Sequence, residues 1–230
     1  MSCGIFIVNY KDDERRKKMT MRVKSIGLDA YFVAPVTTMD LRICNQPISE
    51  IEKRIWSIIF QHVDCMKAFV ENTTYDYCII CEDDVMFSRK LKENISHIIP
   101  LYEKTKLDIL LLSYLCPYDL PEDSYFPLIT KKEQWKIQGY PDDLWGAHMY
   151  FMSRNHAKTL VKKYTAEYAL IETLKGHPFS PDWQITKFGK RGLIVPMVGL
   201  EEGEVKTTHQ GQIDFHRAVF NFHYHKDKFI

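Results

Sequence analysis

The sequence predicts an α/β fold in which helices flank a mixed, mostly parallel sheet. Apolar runs of strand length alternate with segments whose apolar residues recur at helical spacing, which is typical of strands joined by helices. The chain has 230 residues, and 45% of them are hydrophobic. This length and composition suffice for one well-buried core, so we expect a single domain over residues 1–230.

Each predicted strand is an apolar run bounded by polar or turn-forming residues. The predicted strands are 5–8, 31–36, 75–81, 108–114, 145–152 and 193–198. Residues 116–144 contain several prolines and little periodicity. We therefore expect an irregular segment there that forms a lid or wall of a binding site.

The predicted helices are recognised by their end signals. Asp12 can cap the first helix, and Gly27 can end it. The longest helix begins at Ser49, where Glu52 completes a capping box. His62 lies on the apolar stripe of that helix and is expected to be a hydrogen-bonded core residue. Further helices are predicted over 91–99, 154–164 and 166–174, with a short one from 181.

Charge and hydropathy argue against two classes of protein. The formal net charge of +1 lacks the basic excess of a nucleic-acid-binding protein, so no nucleic-acid partner is expected. The longest apolar run, 109–112, is far shorter than the roughly 20 residues of a membrane span.

Two observations bear on the compartment. No basic leader is present. Cys78 and Cys81 are predicted to be buried thiols on opposite faces of a strand. We therefore expect a cytoplasmic protein.

The strongest chemical signal is the acidic triplet Glu82-Asp83-Asp84, which directly follows the apolar strand 75–81. Neighbouring carboxylates at the end of a buried strand repel one another unless a cation balances their charge. Mn²⁺ and Mg²⁺ prefer carboxylate oxygens and share their coordination shell with phosphates. Because ligands of open α/β sheets bind at the carboxyl ends of strands, the triplet predicts a divalent cation site. The alternative is an exposed acidic turn that caps the next helix.

The triplet alone leaves the reaction open. Nucleotide-sugar transfer, phosphoryl transfer and metal-assisted hydrolysis can all use a divalent cation at such an edge. Neither a glycine-rich phosphate loop nor a dinucleotide-binding fingerprint is present, which disfavours an enzyme of the P-loop type. A phosphohydrolase is disfavoured because a second acidic cluster is missing.

Several motifs, in order along the chain, resemble glycosyltransferase family 25, which includes lipopolysaccharide-type and collagen galactosyltransferases. The two specific ones are Glu82-Asp83-Asp84-Val85 and the block 145–153 with Ala157. The shorter matches are 6–10 with Arg15-Arg16, Gln61-His62, Pro181-Asp182 and 208–211. Gln61 departs from the pattern, because the family usually has a small residue there.

The resemblance implies a GT-A (Rossmann-like) fold and transfer of a hexose from a nucleotide-diphosphate sugar. A UDP-sugar is the expected donor, and a glycan or glycoprotein is the expected acceptor. Mn²⁺ or Mg²⁺ is the expected cofactor, and the reaction is expected to invert the anomeric centre with a carboxylate base. Such transferases also occur in large DNA viruses, so a viral member is among the expectations. The alternative is a non-catalytic module that binds a nucleotide sugar or carbohydrate on the same scaffold.

The resemblance also suggests roles for the acids. Asp84, the last acid of the triplet, is expected to bind the metal directly. Glu82 or Asp83 is expected to hold the ribose or the donor sugar. In the tail, His209 is the histidine expected to complete the Mn²⁺ shell. A zinc site is disfavoured, because the seven-residue intervals in the tail do not match close-spaced zinc ligands. The tail histidines are His209, His216, His223 and His225.

The remaining donor contacts are expected at the ends of strands. Asn9 and Tyr10, after the first strand, are expected to contact the base of the nucleotide. Arg15 or Arg16 is expected to pair with phosphate, since a guanidinium matches phosphate geometry. Gly146 is expected to line the donor site.

A carboxylate is needed as the base that takes the proton of the acceptor hydroxyl. Asp182 is the expected base, since it follows Pro181 at the start of a predicted short helix. A plain helix cap is its alternative role. Asp142 and Asp143, just before the block 145–153, are the competing candidates for the base.

Overall fold

A sheet of seven strands forms the centre of the structure, a computed structural model that describes residues 2–120, 135–140, 144–187, 189–205 and 207–230. The strands are β1 (Cys3–Val8), β2 (Ala30–Phe32), β3 (Tyr77–Glu82), β4 (Val85–Phe87), β5 (Ile109–Leu115), β6 (Lys136–Gly139), β7 (Trp145–Ser153), β8 (Arg191–Val195) and β9 (Gly199–Glu201). The helices are α1 (Asp13–Ser25), α2 (Glu50–Asn72), α3 (Leu91–Thr105), α4 (Arg154–Lys163), α5 (Ala166–Leu174) and α6 (Gln210–His223).

The strand order in the large sheet is β2-β1-β3-β7-β5-β8-β6. Strands β2, β1 and β3 are parallel, and so are β5 and β8. Strand β7 is antiparallel to both β3 and β5, and β6 is antiparallel to β8. The predicted α/β class, with a mixed, mostly parallel sheet flanked by helices as in a GT-A fold, is confirmed.

Both faces of the sheet are covered, which explains why its strands are apolar without alternation. Val8 belongs to the core cluster that contains the α2 residues, whereas Ile7 belongs to the cluster that contains the α1 and α3 residues. Cys78 and Cys81 divide in the same way, and both are free, fully buried thiols. The prediction of buried thiols on opposite faces is confirmed.

The end signals of the first two helices form as predicted. The carboxylate of Asp12 accepts a hydrogen bond from the backbone N–H of Arg15 at 3.0 Å. Ser49 and Glu52 form a reciprocal capping box. Gly27 follows α1 with a φ of +72°, which glycine reaches without a steric penalty. The cap on α1 determines how the chain leaves β1, where the site residues begin.

Several short elements differ from the prediction. Strands β4 and β9 pair with each other in a separate two-stranded sheet, and α6 forms in the tail. The predicted strand 31–36 is limited to β2. The segment 116–144 includes β6, so it is not wholly irregular, and its residues 121–134 and 141–143 lie outside the described ranges. Strands this short are stabilised by partners distant in sequence, so their own residue pattern is weak.

No helix in the described part of the chain combines the length and the apolar character that a membrane crossing requires. That residues 1–230 form one domain stays a prediction.

Candidate functional site

The candidate site lies at one edge of the large sheet, where polar residues follow three neighbouring strands. Strands β1 and β3 are parallel and end there with Val8 and Glu82. Strand β7 runs the opposite way, so it begins at this edge with Trp145. This is the edge at which ligands of open α/β sheets bind.

The acidic triplet is held by backbone pairing on both of its sides. Glu82 is the last residue of β3, and β4 begins at Val85, directly after Asp84. The backbone carbonyl of Asp84 accepts a hydrogen bond from the N–H of Glu202 at 3.0 Å, next to β9. The positions of the three carboxylates therefore depend on strand pairing with the C-terminal part of the chain.

Asp83 is buried, and both of its oxygens have partners. Asn9 donates its side-chain N–H to Asp83 Oδ2 at 2.6 Å and to the backbone carbonyl of Asp12 at 2.9 Å. Gln61 donates to the backbone carbonyl of Asn9 at 2.8 Å. The Nη1 group of Arg15 lies 2.9 Å from Asp83 Oδ1. Asn9 is itself buried, so it acts as a support for Asp83 in this structure.

Asp84 differs from Asp83 because one of its oxygens has no partner. Oδ2 accepts from Nη1 of Arg15 at 3.1 Å, whereas Oδ1 is buried without a hydrogen bond. Burial raises the pKa of Asp84 to about 7, and the carboxylates of Glu82 and Glu201 add to the shift, against the opposing charge of Arg15. A buried, unpartnered carboxylate oxygen is costly, and a cation or a proton would remove that cost.

Asp84 is the residue that best fits the predicted divalent cation site. Within the described ranges, no group of three or more His, Cys, Asp or Glu residues is arranged to hold a metal ion. Mg²⁺ and similar ions are commonly bound by one or two carboxylates, with substrate phosphates and waters completing the shell. The single orphaned oxygen of Asp84 fits that kind of open site.

The tail histidine that meets the acidic residues is His216. Its Nδ1 lies 2.5 Å from Glu201 Oε2. That hydrogen bond raises the pKa of His216, and the charges of Asp84 and Glu82 add to the effect. His209 is exposed at the N-terminal end of α6, and its role as a metal ligand stays a prediction. His216 and Glu201 lie on α6 and β9, two elements that the sequence pattern did not reveal.

A pocket of about 760 Å³ opens on the β1 and α2 side of the triplet. The residues that line it are Val8, Tyr10, Asp12, Arg15, Val36, Thr38, Arg54, Ser57, Ile58, Gln61, Glu82, Asp83 and Asp84. Tyr10 is 57% exposed, and Arg15 and Arg54 supply positive charge. Arg16 instead stacks on Phe32 with its guanidinium 4.2 Å from the ring centroid, so of the two neighbours Arg15 and Arg16 it is Arg15 that faces the pocket.

Asp182 lies on the β7 side of the triplet, in a single π-helical turn, Pro181–Ile185, that Ser180 caps. Asp182 Oδ1 accepts a hydrogen bond from the backbone N–H of Gly146 at 3.0 Å. Burial raises the pKa of Asp182, and the charge of Glu82 adds to it, although the Gly146 N–H acts the other way. The competing candidates Asp142 and Asp143 lie outside the described residues.

Only glycine fits position 146. Its φ is +129°, and a Cβ built there would lie 2.8 Å from Cε1 of His148. A side chain would therefore be strained in both backbone conformation and packing. His148 is held by a 2.7 Å hydrogen bond to Ser113 Oγ, so the backbone of Gly146 has little room to shift, and its N–H stays directed at Asp182.

His62 lies beneath the triplet, fully buried in α2. Its Nδ1 shares a 2.9 Å hydrogen bond with the hydroxyl of Tyr150, and its Nε2 lies 3.6 Å from Glu82 Oε1. The expected hydrogen-bonded core histidine is confirmed, and the structure adds its proximity to Glu82. Burial alone would raise the pKa of Glu82, but the neighbouring His62, together with the charges of His148 and Arg15, outweighs it, so that pKa is lowered.

Comparison with known proteins gives one family match. The model of glycosyltransferase family 25, described as an LPS biosynthesis protein, matches residues 3–172. This stretch is more than half of the 230 residues and contains both the triplet and Gly146. The resemblance carried by the sequence motifs is therefore confirmed. A search of curated proteins found no significant match.

Solved structures give only distant likenesses. A glycosyltransferase involved in the glycosylation of the major capsid of PBCV-1 is 10% identical with a TM-score of 0.48, covering 94% of this chain and 99% of its own. HddC from Yersinia pseudotuberculosis is 14% identical with a TM-score of 0.40, covering 96% and 79%. The inositol-1-phosphate CTP transferase from T. maritima is 8% identical with a TM-score of 0.37, covering 96% and 78%. We draw no conclusion on function from likenesses this low.

Proposed function

This chain belongs to glycosyltransferase family 25, and we propose that it transfers a hexose from a nucleotide-diphosphate sugar to a hydroxyl of a glycan or glycoprotein. UDP-sugars are the donors we expect first. The pocket of about 760 Å³ beside the triplet is within the usual size range for small-molecule sites. It combines acids, two arginines and an exposed tyrosine ring, which suit a diphosphate, a ribose and a base.

The observation that carries the proposal is the buried, unpartnered Oδ1 of Asp84. With like charges from Glu82 and Glu201 nearby and a pKa raised to about 7, this oxygen suits a divalent cation better than solvent. We propose that Asp84 holds Mn²⁺ or Mg²⁺, with Glu201 and the paired His216, whose charges interact with that of Asp84, as the candidate further donors. When bound, the cation would neutralise charge on the leaving diphosphate.

Different residues of the chain would bind the phosphate, the base and the sugar of the donor. Arg15 lies against Asp83 and Asp84 and would exchange part of that contact for a phosphate oxygen. The exposed ring of Tyr10 would contact the base, while buried Asn9 keeps Asp83 in position. Glu82, which retains an exposed edge in the pocket, would accept hydrogen bonds from hydroxyls of the donor sugar.

Asp182 would act as the base on the other side of Glu82. Oδ1 is occupied by the Gly146 N–H, so Oδ2 is the oxygen that would take the proton of the acceptor hydroxyl. The acceptor oxygen then bonds to the anomeric carbon as the bond from that carbon to the diphosphate oxygen breaks. The electron pair of that bond leaves with the nucleoside diphosphate. Attack from the face opposite the leaving group inverts the anomeric centre, and a raised carboxylate pKa suits a base near neutral pH.

The test is a panel of nucleotide sugars with the purified chain, measured with chelator and with added Mn²⁺. At least one UDP-sugar should raise the melting temperature in Mn²⁺ only and should be transferred or slowly hydrolysed, with inversion in the product. Asp182→Asn should lower transfer by about a hundredfold or more while the donor still raises the melting temperature. If a donor binds and is neither transferred nor hydrolysed, the non-catalytic alternative holds and the proposal fails.

A further inference from the structure

Two tryptophans lie side by side at the proposed base. Trp145 immediately precedes Gly146, and Trp183 immediately follows Asp182. Because the Gly146 N–H donates to Asp182, the two neighbouring indoles are brought together. Their ring centroids are 6.5 Å apart with an interplanar angle of 34°. A backbone hydrogen bond therefore holds an aromatic pair next to the carboxylate.

This pair is exposed in a way that the other tryptophans are not. Trp145 is 47% exposed, whereas Trp56 and Trp135 are 1% and 6% exposed. Trp183 is half-buried. Large aromatic side chains are normally withdrawn from water, and those left exposed beside a polar site commonly mark a binding surface. Neither ring contributes to the two core clusters, so packing of the fold does not explain them.

A lysine already lies against both rings. The ammonium of Lys187 is 4.1 Å from the Trp145 ring centroid and 5.1 Å from that of Trp183. The two indole rings thus present an apolar surface, and the ammonium of Lys187 adds a hydrogen-bond donor beside it. A pyranose matches that combination, because its C–H groups form an apolar face and its hydroxyls accept and donate at the rim. Indole rings bind such faces through large contact area at little entropic cost.

The location distinguishes this surface from the donor pocket. Glu82 lines that pocket, whereas Trp145, Trp183 and Asp182 do not. The charge of Glu82 nevertheless contributes to the raised pKa of Asp182, so Asp182 lies close on the other side. An acceptor hydroxyl held against the tryptophan pair would lie near Asp182, because Trp183 directly follows Asp182 and Trp145 directly precedes Gly146, which bonds Asp182.

We propose that Trp145 and Trp183 form the acceptor subsite, on which a pyranose ring of the acceptor stacks while Lys187 hydrogen-bonds its hydroxyls. This inference rests on the proposed glycosyl transfer, since it names the class of acceptor and where it binds. The recognised unit is a sugar ring, and a peptide or lipid acceptor would not use this surface.

The first test is acrylamide quenching of tryptophan fluorescence, with lactose, maltose and cellobiose as probes and no donor. Since Trp56 and Trp135 are buried, quenching reports mainly on Trp145 and Trp183. At least one disaccharide should lower the quenching constant by about half. The effect should persist in Trp145→Phe and disappear in Trp145→Ala. This measurement needs no turnover, so it is independent of whether transfer occurs.

The second test is acceptor kinetics with the donor that the nucleotide-sugar panel identifies. Trp145→Ala should raise the acceptor KM about tenfold, and Trp145→Phe should recover most of that loss. The donor KM should stay within about twofold in both variants. Phe222→Ala is the matched control, because Phe222 is an aromatic residue with a similar exposure of 44%. It should change neither KM.

The two outcomes that overturn the inference are distinct from a failure of the proposed function. The acceptor subsite is refuted if no disaccharide protects the exposed tryptophans, or if Trp145→Ala alters donor and acceptor KM equally. Absence of any transfer or hydrolysis, with protection by a disaccharide intact, would instead remove the enzymatic proposal and leave a sugar-binding surface.

Discussion

The two sides of Glu82 hold their carboxylates by different means. On the α1 side, Asp83 and Asp84 are held by charged and polar side chains, with Arg15 bridging both acids and Asn9 bonded to one of them. On the β7 side, Asp182 is held by the backbone N–H of Gly146, and its chain neighbour Trp183 lies beside Trp145. The first arrangement retains an unpartnered oxygen and excess negative charge, whereas the second is set by glycine geometry.

The two ways of holding a carboxylate suit different roles in the proposed reaction. A side chain such as Arg15 can exchange one partner for another when a charged ligand arrives, so the α1 side suits binding and release of a diphosphate. The backbone N–H of a positive-φ glycine such as Gly146 cannot move independently of its strand. The β7 side therefore suits a base that must keep one position. Mutations on the two sides should fail in different ways.

The largest effect on activity is expected when each of the two adjacent aspartates is replaced separately by asparagine. Asp84→Asn removes the charge at the unpartnered oxygen, so transfer in Mn²⁺ should fall about a thousandfold with no loss of melting temperature. Asp83→Asn puts an N–H group against the donors of Asn9 or Arg15, and should cost about 1–3 kcal/mol of unfolding free energy. Steady-state kinetics and thermal unfolding of both variants measure this. Full activity in Asp84→Asn would remove the metal assignment.

The next effect concerns the pH dependence of stability in chelator. Because the folded-state pKa of Asp84 is raised from 3.8 to about 7, the folded state binds the proton more tightly than the unfolded state. The contribution of Asp84 to stability is therefore present below pH 4 and lost as the pH rises to 7. Each pKa unit is worth about 1.4 kcal/mol, so the loss should be of the order of a few kcal/mol.

The measurement is the unfolding free energy of the wild type and Asp84→Asn, at several pH values in EDTA. The wild-type curve should fall relative to that of the variant between pH 4 and 7, and the two should run parallel above that range. Added Mn²⁺ should restore the wild type at neutral pH and leave the variant unchanged. Parallel curves throughout would show that Asp84 is not held at a raised pKa.

On the β7 side, Gly146→Ala should destabilise the protein by about 1–3 kcal/mol, since its φ is +129° and its Cβ would meet His148. Transfer should also fall by about tenfold, because the N–H that orients Asp182 is displaced. Gly211→Ala is the control: it lies in α6 with nothing within 4 Å of the added Cβ. Equal behaviour of the two variants in thermal unfolding and kinetics would contradict the proposed constraint.

The smallest effect is expected from replacing Tyr150, the hydrogen-bond partner of His62 beneath the triplet. Tyr150→Phe leaves Nδ1 of buried His62 without its partner and should cost about 1 kcal/mol. It should also lower kcat a few-fold, because the ring of His62, which lies next to Glu82, loses the hydrogen bond that fixes its orientation. Tyr102→Phe removes a hydroxyl bonded to the backbone of Asp108, away from the site, and should reduce stability without lowering kcat. Thermal unfolding and kcat for both variants separate the two roles.

Local signals predicted much of the sheet and the helix ends. Strands β1, β3, β5 and β7 are apolar runs because both sheet faces are buried, and the caps at Asp12 and Ser49 act within four residues of chain. Strands β4 and β9 could not be found in the same way, since each has three residues and is stabilised by the other. The amphipathic helix α6 lies in a polar, histidine-rich tail, whose composition masked its periodicity.

The candidate site shows the same division. The triplet stands out because acids directly follow a buried strand, and this needs no knowledge of contacts. Which of the acids keeps a free oxygen could not be inferred, because Asp83 and Asp84 are adjacent and chemically equal in the sequence. Their difference arises from Asn9, which follows β1 and bonds only Asp83, whereas Arg15 bonds both acids. The meeting of His216 with Glu201 likewise depends on how α6 folds back.

The sequence by itself determined the α/β class and the edge of the sheet at which the candidate site lies, because these follow from periodicity and from acids next to a buried strand. Its motifs, by their resemblance, indicated the family. Only the tertiary structure decided that Asp84 has the orphaned oxygen, that Gly146 holds Asp182, and that Trp145 and Trp183 form one surface. Each of these depends on distances of a few ångströms between segments far apart in the chain, which no local pattern encodes.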